Sequence, residues 1–129
     1  MPDRVELSKI VDYLKSIEII SSIKVVSLDD SLQRSICKLR CSLLPSRYKL
    51  DVRLIQTENE IIYSYQLFHD RPIIRWDNAP HFPSVTTFPH HFHDQNDKIK
   101  ASNLMGDIIE DIDYVLGEIK RLLTEGDLS

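Results

Sequence analysis

Glycine is scarce in this chain, with three residues in 129. That excludes a phosphate-cradling loop or a dinucleotide-binding turn, because both need closely spaced glycines for the backbone to approach its ligand. Cysteine is scarcer, with Cys37 and Cys41 alone. Four residues apart and without a second thiol pair, they cannot complete a four-thiolate metal site. No apolar run approaches the roughly 18 residues of a membrane-spanning helix. The opening MPDRVELSKI has neither the apolar centre nor the small-residue cleavage site of a secretory signal. The expectation is a cytoplasmic protein with reduced thiols and no membrane role.

Acidic charge is nearly missing from one region. Residues 34–53 carry Arg34, Lys38, Arg40, Arg47, Lys49 and Arg53 against Asp51 alone, and beyond residue 107 the balance reverses. The formal net charge of −4 discourages indiscriminate nucleic-acid binding, yet a local basic face can still grip phosphates. The plainer reading is solvated surface. At 42% apolar and 28% charged, the chain fits a single domain over residues 1–129 with one core.

Periodicity supplies the fold class. Leu7, Ile10, Leu14 and Ile17 recur at helical steps, with Val11 widening the stripe. Asp3 and Glu6 can form a capping box at the start, and Ser21 and Ser22 place the end near Ile20. IKVVSLDD then reads as a first strand. Cys37, Leu39, Cys41 and Leu43 alternate with Lys38, Arg40 and Ser42, and Tyr48, Leu50, Val52 and Leu54 alternate with Lys49, Asp51 and Arg53. Both runs predict strands with an apolar face, on which the cysteines act as small core residues, and a basic reverse. IIYSYQLF and IIRWD complete five strands, and the second puts Arg75 and Asp77 on one side. A stripe from Met105 through Ile108, Ile112, Val115 and Ile119 to Leu122 predicts a closing helix, capped by Ser102 or Asn103, with Asp107 near its positive end. The predicted architecture is α+β: a strongly bent antiparallel sheet of about five strands, with amphipathic helices at both ends covering one face.

Between the last strand and that helix, residues 78–95 hold Pro80, Pro83 and Pro89 and four of the five histidines. Proline keeps such a segment off both regular ladders, so it reads as a semi-rigid irregular arm. His81, His90, His91 and His93 titrate near neutrality and suit proton transfer, while Arg75 suits a phosphate. His90-His91-x-His93 can also hold a divalent metal such as zinc, with Asp77, His81 or Asp94 adding a ligand, although adjacent histidines point in divergent directions. A purely architectural cluster is the third reading, with Asp77 and Asn78 shaping the turn.

YSYQLF, RWDNAPH and FPHHFH together resemble the TumE family of small prokaryotic toxin-like proteins. Its pattern falls here on Tyr63–Ser64, Arg75–His81 and Phe88–His93, and the likeness covers residues 61–93; the spacer FPSVTT departs from the commoner wording. The resemblance implies the toxin of a toxin–antitoxin pair, a DNA-binding antitoxin as cognate partner, and action against RNA or translation. On that basis a metal-independent endoribonuclease is expected, with Arg75 on phosphate, His91 and His93 moving protons, His81 assisting them and Asp77 holding an imidazole or Arg75. Asn78 and His90 shape the site. Lys38, Arg40 and Arg53 guide the RNA, and Tyr65 stacks on a base. The alternatives are a noncatalytic protein- or nucleic-acid-binding regulator and a metal-dependent phosphodiesterase; a homo-oligomer stays open.

Overall fold

A computed structural model describes residues 4–126. In chain order the elements are α1 (Leu7–Lys15), β1 (Ile20–Asp30), β2 (Arg34–Leu43), β3 (Lys49–Thr57), β4 (Ile61–Phe68), β5 (Pro72–Asp77), β6 (His91–His93), β7 (Ile99–Ala101) and α2 (Ile108–Glu125). The seven strands form one sheet in the order of the chain, every neighbouring pair antiparallel. Short connections dictate this everywhere except between β5 and β6, since a parallel crossover would need a dozen residues or more.

The α+β architecture agrees with the sequence, but the sheet does not: it is an open array of seven strands rather than a strongly bent sheet of five. The two missed strands are three residues each, too short to leave a period-two signature. Segment 78–95 is therefore irregular only in part, because β6 runs through it. The first helix also stops earlier than expected, at Lys15, because β1 already begins at Ile20. Its predicted cap, Asp3, lies outside the described residues, and Glu6 at the N-cap makes no capping side-chain bond.

Strict alternation sorts the middle strands into two faces. On β2, Cys37, Leu39, Cys41 and Leu43 are buried, and Leu50, Val52 and Leu54 of β3 continue the same surface. Ile10 and Leu14 of α1 and the apolar stripe of α2 join that core, so both helices lie on one side of the sheet. The thiols act as small core residues, as expected: both are free and buried, and burial, then the Asp51 carboxylate, pushes the Cys41 thiol up to about 12. Tyr65 is a correction. It is fully buried on the core face, stacked on Tyr63 at 5.0 Å, and offers no ring to a base.

The closing helix starts later than its stripe suggested. Met105 is 72% exposed, and Gly106, with φ 95°, turns the chain before the helix. Ser102 and Asn103 do not cap it. Asp107 is the N-cap, its carboxylate accepting from the Glu110 amide, and Asp111 accepts from the Met105 and Gly106 amides to fix the approach. Asp107→Ala is therefore expected to cost about 1 kcal/mol in a urea titration; no change would mean that the Asp111 contacts alone hold this end. No helix among the described residues is long and apolar enough to cross a membrane.

Candidate functional site

The helices cover one sheet face, and the site is built on the other. Strand register sets two polar rows across that face. One runs Lys38, Arg53, Ser64, Asp77, His91; the next runs Arg40, Asp51, Gln66, Arg75, His93. Each residue lies opposite its neighbour on the adjacent strand, so period-two alternation and register alone bring Arg75, Asp77, His91 and His93 together.

Asp77 is the hub, only 6% exposed. Its Oδ2 accepts from Arg75 Nε at 2.7 Å, and its Oδ1 accepts from the Ala79 amide at 3.0 Å and lies 2.8 Å from His91 Nε2. His93 Nε2 is 3.5 Å from Oδ2. His91 is 1% exposed, and its Nδ1 lies 3.0 Å from the Pro89 carbonyl. A carbonyl can only accept, so Nδ1 carries a proton; the Asp77 carboxylate facing Nε2 also only accepts, so that contact is a hydrogen bond when Nε2 carries a second proton. His93 also carries its proton on Nδ1, for a different reason. Arg75 Nη2 sits 2.9 Å from its Nε2, and a guanidinium can only donate, so that nitrogen holds a lone pair. Burial, reinforced by the Arg75 charge, lowers the His93 pKa and keeps the ring neutral.

The proline-rich arm packs over this cluster. Successive tight turns close through Val85 to Phe82, Phe88 to Val85 and His90 to Thr87 backbone bonds. Phe82 meets the rings of His91 and His93 edge-on at 4.8 and 5.8 Å, screening them from solvent. Thr87 donates to the His90 carbonyl and accepts from the Ser102 amide, which pins the arm beside β7. Neither Phe82 nor Thr87 stood out in the sequence: both lie in the spacer FPSVTT, where only tertiary contact gives them a role.

The remaining candidates divide. Asn78 prolongs the ladder between β4 and β5, accepting from the Tyr63 amide and donating to the Ile61 carbonyl. His90 points to the core face, its Nδ1 2.7 Å from the Tyr63 hydroxyl, so adjacent His90 and His91 serve opposite sides of the sheet. His81 is exposed against Phe82 and makes no hydrogen bond with His91 or His93 among the described residues. Asp94 is spent on the β6–β7 turn, accepting from the Asn96 and Lys98 amides.

The basic face is less free than the sequence suggested. Arg40 donates twice to Asp51, at 2.8 and 3.0 Å, and lies over the Phe68 ring, while Lys38 is 3.5 Å from the same carboxylate. Arg53 has no acidic partner among the described residues and lines a cavity of about 170 Å³ with Ser64, Arg75 and Asp77.

Two imidazoles and a carboxylate also make a metal-binding set. One ligand atom each from Asp77, His91 and His93 lies within 4.8 Å of the others. Nitrogen and oxygen donors suit zinc or manganese, and the Pro89 carbonyl on His91 Nδ1 is the outer partner that orients a ligating imidazole. An ion taking His93 Nε2 would displace Arg75 from that nitrogen.

No curated protein and no solved structure matches the chain. A family description does: that of Toxin TumE matches residues 10–123, from the first helix through all seven strands into α2. The match spans far more than the histidine segment, and the chain belongs to the TumE toxin family.

Proposed function

We propose that the protein is the toxin of a toxin–antitoxin pair and acts in the cytoplasm by cleaving RNA, with Asp77, His91 and His93 holding a divalent cation. The observation that carries this reading is the convergence of three ligand atoms within 4.8 Å on the sheet face that the helices leave uncovered. When bound, such an ion supplies positive charge to a phosphoryl oxygen and acidifies water. The chain's own residues do the rest. The Pro89 carbonyl fixes the His91 tautomer, Arg75 turns its planar fork to the phosphate, and Phe82 keeps bulk water off the imidazoles.

Arg75 favours a second reading. Its guanidinium already satisfies His93 Nε2 and Asp77 Oδ2, supplying a positive charge with no ion required. In that metal-independent form Arg75 neutralises the phosphoryl group. The neutral His93 removes the 2′-hydroxyl proton as that oxygen bonds to phosphorus, and His91, entering the step with a proton on Nε2 held by Asp77, gives that proton to the 5′-oxygen as its bond to phosphorus breaks.

The test is cleavage of single-stranded and structured RNAs by purified, partner-free protein after chelation and dialysis. We expect activity to be lost and then restored by zinc or manganese, with one equivalent of metal retained by the protein. Full activity without metal would move the assignment to the Arg75 form. No cleavage under either condition, alongside tight binding to one protein or RNA, would make the chain a noncatalytic regulator. Family membership also implies a cognate antitoxin, expected to be DNA-binding and to co-purify when the pair is co-expressed.

A further inference from the structure

Two cavities flank the histidine cluster on the uncovered sheet face, and Arg75 lines both. On one side is the cavity of about 170 Å³ that also contains Arg53 and Ser64. On the other is one of about 350 Å³, bordered by Gln66, Arg71, Arg75 and His93, with Asp94 and Asp97 also on its wall. Arg53 and Arg71 are both exposed, and neither has an acidic partner among the described residues. Arg53 on β3 stands two strands from Arg75, about 10 Å across the sheet. Arg71, in the β4–β5 turn, precedes Arg75 by four residues, at most about 13 Å of extended chain.

Unpaired guanidinium groups on both sides of a recessed catalytic cluster are an electrostatic footprint for a polyanion with several regularly spaced charges. A lone phosphate would engage Arg75 and leave the outer two idle. Shape narrows the class further. Asp77, His91 and His93 are 6%, 1% and 8% exposed, and Phe82 covers the two rings. A rigid duplex carries its phosphates on a convex surface and cannot lower one into such a recess, whereas a single strand can bend to do so.

We infer that the site takes a single-stranded polynucleotide whose backbone passes from Arg53 over Arg75 to Arg71, so that Arg71 is a phosphate-binding residue of the substrate path. The cluster's role as the cleavage centre rests on the phosphodiesterase reading above; the path itself does not need cleavage to be observed.

The experiment is fluorescence anisotropy with labelled 12-nucleotide 2′-O-methyl RNA, the matching single-stranded DNA and the RNA duplex, all in chelator, across a salt series. Arg53→Ala and Arg71→Ala should each weaken single-strand binding about three- to tenfold. Each should also reduce the slope of log K against log salt by about 0.7, the value for one phosphate contact on a single strand. Arg71→Lys should recover most of the slope, and Lys120→Ala, on the exposed side of α2, should leave it unchanged. The DNA arm separates a backbone-only path, with equal affinity, from one that also reads the ribose, with RNA preferred; either supports the track. An unchanged slope in Arg71→Ala, or a duplex that binds as tightly as the single strand, overturns it. Binding with these slopes but no cleavage in a parallel RNA assay would leave the path standing and reject the phosphodiesterase reading alone.

Discussion

Asp77→Asn is expected to lower RNA cleavage by about 10²–10⁴, the loss typical when a group central to proton transfer is removed. Asparagine keeps the shape of the side chain and can still accept from the Ala79 amide. It cannot offer a second anionic oxygen to Arg75 while also facing His91 and His93. Both forms of the mechanism pass through this residue, as a metal ligand or as the anchor of Arg75 and His91, so the direction is common to them. Breaking a buried charged constellation also costs stability, on the order of 1–3 kcal/mol for hydrogen bonds left unmade. Urea denaturation must accompany the kinetics, with rates measured well below the midpoint. Activity within tenfold of the parent in folded Asp77→Asn protein would remove the cluster from the chemistry.

Leu39→Ala should have the largest effect on folding, a loss of about 2–5 kcal/mol. Leu39 is fully buried at the centre of β2, opposite Val52 on one side and Val25 on the other, beneath the layer formed by both helices. Truncation there leaves a cavity that flanking strands, held by their ladders, cannot collapse to fill. Chemical denaturation reads the result directly, and a loss below about 1 kcal/mol would show that the core is centred elsewhere. His91 is a poor surface control for this variant, because at 1% exposure it is as buried as the core residues.

The middle of the sheet was legible because its signal is long. Ten residues of alternation in β2 and nine in β3 fix both the strands and which side faces the helices. The pairing of Arg75 with Asp77 was also legible, since residues two apart on a strand share a face, and the structure puts them 2.7 Å apart. What failed was whatever depended on partners distant in sequence. A three-residue strand such as β6 exists only because β5 and β7 offer it ladders on both sides. Tyr65 looked available for stacking until the sheet was closed by helices, and Lys38 and Arg40 looked free until Asp51 was seen between them. The closing helix misled at its start because Met105 is apolar and in phase, while the positive φ of Gly106 decides where the helix begins.

Sheet order that copies chain order has a consequence for the order in which the cluster is assembled. A nascent chain that has emerged through β5 already carries Arg75 and Asp77, but neither His91 nor His93. The first four strands can pair as they leave the ribosome, because each finds its neighbour already made. The cluster waits for β6, and the part of the opposite face's cover that α2 supplies follows later still in the chain. A chain that stops before residue 91 therefore carries the sheet through β5 without the assembled Asp77, His91 and His93 cluster.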